Sequence, residues 1–201
     1  MGLLDTILGR SKPVPPDLDR LFGLPTAAIT LEAGAGFTPT GVGSVCFASV
    51  EGGAFAGLQE DVRELLDADS RRGGGGRPVE FSQDAYGYTW LLARRPADDT
   101  ASLVNDLHAV NTLLQDAGFG PQLLCSLMGF REAAGQRPLV LVYLYKRGTF
   151  YPFAPLPEGT GPAGKRDNLT ELQVRALLAE DLPIEPDLGR WFPVWGAPGL
   201  G

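Results

Sequence analysis

The run Leu139–Pro155, LVLVYLYKRGTFYPFAP, constrains the fold of this chain more than any other segment. Its first seven residues, Leu139–Tyr145, are all Leu, aromatic or β-branched, which is typical of a strand that is buried on both faces. Lys146-Arg147-Gly148 then supplies a tight turn, and Thr149–Phe153 can return beside the first strand. Pro152 restricts that returning strand to a sheet edge, because proline donates no backbone hydrogen bond. The chain therefore builds a sheet.

Other apolar patterns predict the remaining strands and the helices that pack on them. Further strands are predicted at Ala27–Ala33, Gly41–Val50, Pro78–Ser82, Tyr86–Arg95 and Leu123–Glu132. Apolar residues at helical spacing predict helices over Phe55–Asp69, Thr100–Ala117 and Asn168–Asp181. The connections within strand pairs are short enough for hairpins, which implies antiparallel pairing. We expect an α+β fold, a mainly antiparallel sheet with helices packed on it, in the order ββ-α-ββ-α-βββ-α.

Length and charge limit the domain organisation and the class of partner. The 201 residues are enough for one domain with a sizeable core. We expect an N-terminal amphipathic segment with a proline-rich spacer at residues 1–16, and a single α+β domain with an aromatic C-terminal tail at residues 17–201. The net charge of −7 argues against a general nucleic-acid surface, because that affinity comes mainly from neutralising phosphates.

The N-terminal segment has a helical pattern of apolar residues followed by positive charge. Leu3, Leu4, Ile7 and Leu8 fall on one helix face, which predicts a short helix that contacts a membrane surface or a partner. The alternative is a helix docked on the domain, or a frayed end. No stretch reaches the roughly 18 apolar residues of a membrane span, and no signal peptide is recognisable. The expected location is cytoplasmic, with peripheral membrane contact through this segment.

Few residues offer catalytic chemistry. Cys46 and Cys125 both lie in apolar strand-like runs, where reduced core thiols are expected; a disulfide requires that the two strands meet. His108 is the only histidine, and a half-buried, hydrogen-bonded ring is expected there. No HExxH, GxSxG or CxxC element is present. We predict no catalytic residue, metal site or cofactor; the alternative function is a ligand-binding protein or enzyme with a pocket near Cys125 and His108.

Two aromatic segments favour binding instead. A basic turn beside aromatic residues can grip an acidic partner, although the same pattern is ordinary hairpin chemistry over a core. The tail GRWFPVWGAPGLG has the aromatic residues of interface hot spots, but such a tail can equally strap itself across a sheet. The predicted partner-binding residues are Lys146, Arg147, Tyr151, Trp191, Phe192 and Trp195.

Several segments together resemble a known family. The matching stretches are MGLLDTILGRSKP, ITLEAGAGFTPTGVGSVCF, DAYGYTWLLARRP, DLHAVNTLLQDAGFGPQLLCSLMGF, LVYLYKRGTFYPFAPL and RWFPVWGAPGL. They resemble the actinobacterial PspA-associated family PspAB over nearly the whole chain. The departures are SRRGGGG and EGTGPAGKR, two stretches that are predicted to be surface loops.

The resemblance implies an accessory protein of the phage-shock envelope-stress response. Such proteins are associated with the membrane-remodelling protein PspA and often with a membrane protease of the HtpX type, and no catalytic residues are carried over. The order of elements from Gly53 onward is similar to that of the YbjN or type III secretion chaperone fold. We therefore expect a non-enzymatic adaptor that acts by protein–protein interaction.

Overall fold

A six-stranded antiparallel sheet forms the centre of the computed structural model, which describes residues 16–48, 57, 59–64, 80–84, 86–156 and 164–200. The spatial order of the strands is β2-β3-β1-β4-β5-β6. Their bounds are β1 Phe37–Ala48, β2 Glu80–Gln83, β3 Tyr88–Arg94, β4 Leu123–Glu132, β5 Pro138–Leu144 and β6 Thr149–Phe153. The predicted fold class, α+β with a mainly antiparallel sheet, is confirmed.

Within the described ranges, the sheet is covered by α1 (Leu24–Ala35), α2 (Thr100–Leu114) and α3 (Asn168–Leu177). A 3₁₀ turn precedes α1, and residues 57 and 59–64 are also helical. Asp99 caps α2 by accepting a hydrogen bond from the Ser102 N–H. None of the helices within the described ranges is long and apolar enough to cross a membrane.

The prediction of a strand at Ala27–Ala33 is wrong, because these residues lie inside α1. The run AAITLEA is short enough to satisfy either a strand or a helix period. Its flanks decide for the helix: Pro25 lies in the first turn, and Gly36 ends the helix with a φ of 69°. β1 consequently begins at Phe37, four residues before the predicted start at Gly41.

The end of the chain also differs in detail from the prediction. α3 ends at Leu177 rather than near Asp181. Its cap is Asp167, which accepts a hydrogen bond from the Thr170 N–H, whereas the predicted cap Asn168 is the first helical residue.

The hairpins β2–β3 and β4–β5 and the additional strand β6 are confirmed. β6 is the edge strand that Pro152 predicts.

Side-chain alternation divides the sheet into two buried faces. The helix face packs against the helices, and its buried strand residues include Phe37, Val45, Phe47, Leu91, Met128, Phe130, Leu139, Leu141, Tyr143 and Phe150. The tail face packs against the C-terminal tail, and its buried strand residues are Cys46, Trp90, Leu127, Val140, Val142, Tyr151 and Phe153. Strand β5 is thus buried on both sides, as its continuous apolar run predicts.

Candidate interaction site at the C-terminal tail

The C-terminal tail, residues 191–200, crosses the tail face of the sheet. It contains isolated turns and no helix or strand. Trp191 and Ala197 are buried in one apolar cluster with side chains of β1, β3, β4, β5 and β6. Of the two interpretations of this segment, a free aromatic hot spot or a strap, the structure has the strap.

Trp191 anchors the beginning of the tail. Its ring stacks on Tyr151 with 5.9 Å between centroids, and only 5% of Trp191 and 1% of Tyr151 are exposed. The Trp191 indole N–H donates to the Glu185 carbonyl at 3.0 Å, and the Tyr151 hydroxyl donates to the Phe192 carbonyl at 2.8 Å. Burial raises the pKa of Tyr151, so this hydroxyl keeps its proton and remains a donor.

Contacts along the strands hold the rest of the tail. The Trp195 ring meets Phe153 edge-on with 4.8 Å between centroids. The Ser44 hydroxyl donates to the Pro198 carbonyl at 2.9 Å. Gly129 of β4 allows this close approach, because a Cβ atom built there would lie 2.5 Å from the Gly199 carbonyl oxygen. A glycine inside an apolar strand is thus explained by the passing tail.

Glu185 joins the tail to the β5–β6 hairpin. It is fully buried; its carboxylate accepts hydrogen bonds from the Thr149 hydroxyl at 2.7 Å and from Arg147 Nε at 3.3 Å. Burial alone would raise the pKa of Glu185. The hydrogen bonds from Thr149, the Asp187 N–H and Arg147 outweigh burial and lower that pKa below its usual range.

Arg166 joins the tail to α3. Its Nε lies 2.9 Å from the Glu171 carboxylate, its Nη1 donates to the Trp191 carbonyl, and its guanidinium lies over the Phe153 ring at 5.2 Å. Glu171 also accepts the Ala154 N–H at 2.9 Å. Burial raises the pKa of Glu171, and these favourable contacts only partly offset the increase.

The predicted partner-binding residues divide into two groups. Tyr151 and Trp191 are buried and bind the tail to the sheet, so they do not face solvent. Phe192 is 61% exposed and Trp195 is 38% exposed, and Lys146 and Arg147 are exposed at the hairpin turn. Since Arg147 contacts Glu185, whose carbonyl holds Trp191, the turn and the start of the tail are directly connected.

The predicted membrane-surface residues Leu3, Leu4, Ile7 and Leu8 lie outside the described residues, as do Gly53 and Ser70–Arg77.

Cys125 and His108 are not brought together. Cys125 belongs to the tail face, whereas His108 lies on α2, which packs on the helix face. His108 is half-buried; its Nε2 lies 3.3 Å from Asp19 Oδ1, and its ring lies 4.8 Å from that of Phe22. The prediction of a hydrogen-bonded, half-buried ring is confirmed. A site shared by the two side chains is not formed, because the sheet separates them.

Sequence reasoning missed most of the residues that hold the tail. Glu185 lies in the irregular segment PIEP, and Arg166 precedes a helix; neither position has a pattern that indicates its partner. Gly129 does carry a signal, since a glycine inside the run LMGF indicates close approach of another backbone. The approaching segment, Gly199, is distant in sequence and could be identified only in the folded chain.

Comparison with known proteins assigns the chain at the level of a family. The family model described as PspA associated protein B matches residues 1–199. The comparison with curated proteins and the comparison with solved structures found no match.

Proposed function

Because the chain belongs to the PspA associated protein B family, we propose that it is a non-enzymatic accessory protein of the phage-shock envelope-stress response. It acts by binding a partner protein, a PspA-type protein in the first place and an HtpX-type membrane protease in the second. The family match over residues 1–199 is the observation that carries this proposal. The expected location is the cytoplasm, with peripheral membrane contact through the N-terminal segment.

The surface at the start of the tail supports a partner-binding role. The aromatic rings of Phe192 and Trp195 are partly exposed on a backbone that the sheet already holds in place. Binding a partner there therefore costs little conformational entropy. The exposed cations Lys146 and Arg147 lie at the adjoining hairpin turn. On a chain with a net charge of −7, this turn suits an acidic segment of a partner.

The proposal is tested by measuring the affinity of the purified chain for a purified PspA-type protein. The variants are Lys146→Ala and Phe192→Ala, singly and together. Both side chains are exposed and neither holds the tail, so folding should be retained. We expect the Kd of the double variant to be about tenfold higher or more, which is the change typical of a moderate hot spot.

Ile29→Ala is the matched control, because Ile29 is an apolar residue that is 72% exposed on α1. It should leave the Kd within about twofold of that of the parent chain. Equal binding by the parent chain and the double variant would show that the surface is assigned wrongly. If neither a PspA-type protein nor an HtpX-type protease binds the parent chain, direct association is refuted.

The same assay tests whether the residues of the ligand-binding alternative belong to the partner surface. His108→Ala and Cys125→Ala remove the two side chains on which that alternative depends. The adaptor proposal predicts unchanged partner affinity for both variants, since neither residue lies at the exposed start of the tail. Loss of partner affinity in a variant that still folds would contradict the assignment of the binding surface to the tail and the hairpin turn.

A further inference from the structure

Cys46 and Cys125 lie directly opposite each other in the sheet. Cys46 is on β1 and Cys125 is on β4, and the antiparallel register makes them paired residues. Opposed residues of an antiparallel pair project to the same face, so both thiols belong to the tail face, in the cluster that contains Tyr151 and Trp191. Both cysteines are free thiols. The condition for a disulfide, that the two strands meet, is therefore satisfied.

The geometry of such a pair allows a disulfide at the cost of a small adjustment. Opposed Cα atoms lie about 4.5 or 5.5 Å apart, within the roughly 4.4–6.8 Å that disulfides span. Opposed Cβ atoms, about 4.5–5.5 Å apart, must approach to about 3.5–4.5 Å. The register slips directly after this pair, where Phe47 opposes Leu123 and Leu124 is an extra residue. A bulge interrupts the ladder, so the strands can adjust there with less loss of regular hydrogen bonding.

The two thiols have different environments. Cys46 is 3% exposed, whereas Cys125 is only half-buried. The Cys125 thiol hydrogen-bonds that of Cys46, and this contact together with burial raises the pKa of Cys46. Cys125 is therefore the thiol that a reagent in solution can reach, and Cys46 is a protonated neighbour within contact of it.

We propose that Cys46 and Cys125 form a reversible thiol–disulfide site whose oxidant is a small disulfide. The Cys125 thiolate attacks one sulfur of the small disulfide; a Cys125 mixed disulfide forms, and one small thiolate leaves. Cys46 then loses its proton to solvent and attacks the Cys125 sulfur, which releases the second small thiolate. The protein dithiol loses two electrons and two protons, and the small disulfide gains them as two small thiols.

The site should be readily reduced as well as oxidised. Opposed Cβ atoms usually lie at or beyond the upper limit of the separation that disulfides prefer, and strained disulfides have more oxidising potentials than structural ones. The proposal does not rest on the adaptor role, because it involves only the two thiols and none of the exposed residues of the tail and hairpin.

The experiment equilibrates the purified, folded chain in buffers that contain oxidised and reduced glutathione at varied ratios. Exchange is then quenched with acid, free thiols are alkylated after denaturation at neutral pH, where thiolate is available, and the products are identified by intact mass and peptide mapping. We expect both thiols to disappear together, the mass to fall by two hydrogen atoms, and one peptide to join residues 46 and 125. Dithiothreitol should restore both thiols completely.

Cys46→Ala and Cys125→Ala are the matched variants, with circular dichroism as the check on folding. Cys46→Ala should accumulate the glutathione mixed disulfide at Cys125, because the second thiol is missing. Cys125→Ala should leave Cys46 unmodified in the folded chain. The proposal is overturned if the parent chain keeps both thiols, stops at the mixed disulfide, or forms only disulfides between chains; these results come from the parent chain and do not depend on whether a variant folds.

Discussion

The helix face and the tail face of the sheet are both buried, but they are covered by different kinds of structure. Helices satisfy their own backbone hydrogen bonds, so the helix face can be closed mainly by apolar contacts, with Asn111 and Ser126 as a buried polar pair. The tail has only isolated turns, and several of its carbonyls accept hydrogen bonds from Tyr151, Arg166 and Ser44. Buried apolar area therefore stabilises the packing of the helix face. A few specific hydrogen bonds and ring contacts hold the tail against the tail face.

This difference has a consequence for function. Loss of buried apolar area on the helix face lowers the stability of the whole fold, because that face contains the larger cluster of buried residues. A change to one tail contact affects a short segment, whose exposed aromatic residues are the proposed partner surface. Substitutions on the helix face should therefore cost more stability than substitutions at the tail contacts.

Leu107→Ala should lower the free energy of unfolding by about 2–5 kcal/mol, the range for truncating a fully buried leucine. Leu107 is 0% exposed and lies on α2 above Gly43 of β1. Urea denaturation followed by circular dichroism measures the change. A loss below about 0.5 kcal/mol, the size usual for surface substitutions, would contradict the importance of the helix face.

Gly129→Ala should displace the end of the tail and lower the free energy of unfolding by about 1–3 kcal/mol, the usual cost of overpacking. The new Cβ would lie 2.5 Å from the Gly199 carbonyl oxygen, which is backbone and cannot rotate away. Limited proteolysis should detect faster cleavage within the tail, while far-UV circular dichroism remains that of the parent chain.

Gly43→Ala is the matched control on the opposite face. Its Cβ would lie 3.0 Å from the flexible end of Leu107, so a side chain can give way, although the Leu127 carbonyl oxygen is also close at 3.2 Å. It should leave the rate of tail cleavage unchanged. Faster tail cleavage in both variants would mean that the two faces do not respond separately.

Glu185→Gln should remove one part of the loss of stability in acid. The hydrogen bonds to Glu185 outweigh burial and lower its pKa below the ordinary 4.5 in the folded chain. Its contribution to the free energy of unfolding is therefore full above the unfolded pKa and is lost as the pH falls through the folded pKa. The variant should show a shallower decrease of that free energy below a pH of about 4.5.

Glu171→Gln is the control of opposite sign. Burial raises the pKa of Glu171 in the folded chain, so its contribution to stability decreases as the pH rises from the unfolded pKa through the folded one. Denaturation curves at a series of pH values should show opposite changes of slope for the two variants. The same sign for both would refute the assignment of these two carboxyl groups.

Local patterns predicted much of the sheet and missed a helix. The seven apolar residues of Leu139–Tyr145 indicate a strand buried on both faces, and Pro152 indicates an edge strand; neither conclusion requires knowledge of the neighbours. The strand prediction for Ala27–Ala33 is wrong because a short apolar run fits two periods. Pro25 and Gly36, its flanking residues, decide the outcome.

The candidate site could be predicted only in part. The sequence shows the aromatic residues of the tail but not their burial. Trp191 is held by contacts with Tyr151, Glu185 and Arg166, which come from separate segments of the chain. Trp191 and Trp195 are alike in the sequence, yet 5% of one and 38% of the other are exposed.

Local periodicity, turn chemistry and recognisable stretches of residues are sufficient to predict the α+β class, the hairpins of the sheet, the edge position of β6 and the family. The folded chain is needed to see which surface the tail covers, that Glu185 joins it to the hairpin, and that Cys46 and Cys125 are opposed. Those contacts join residues far apart in the chain, and their register depends on the simultaneous packing of both faces of the sheet.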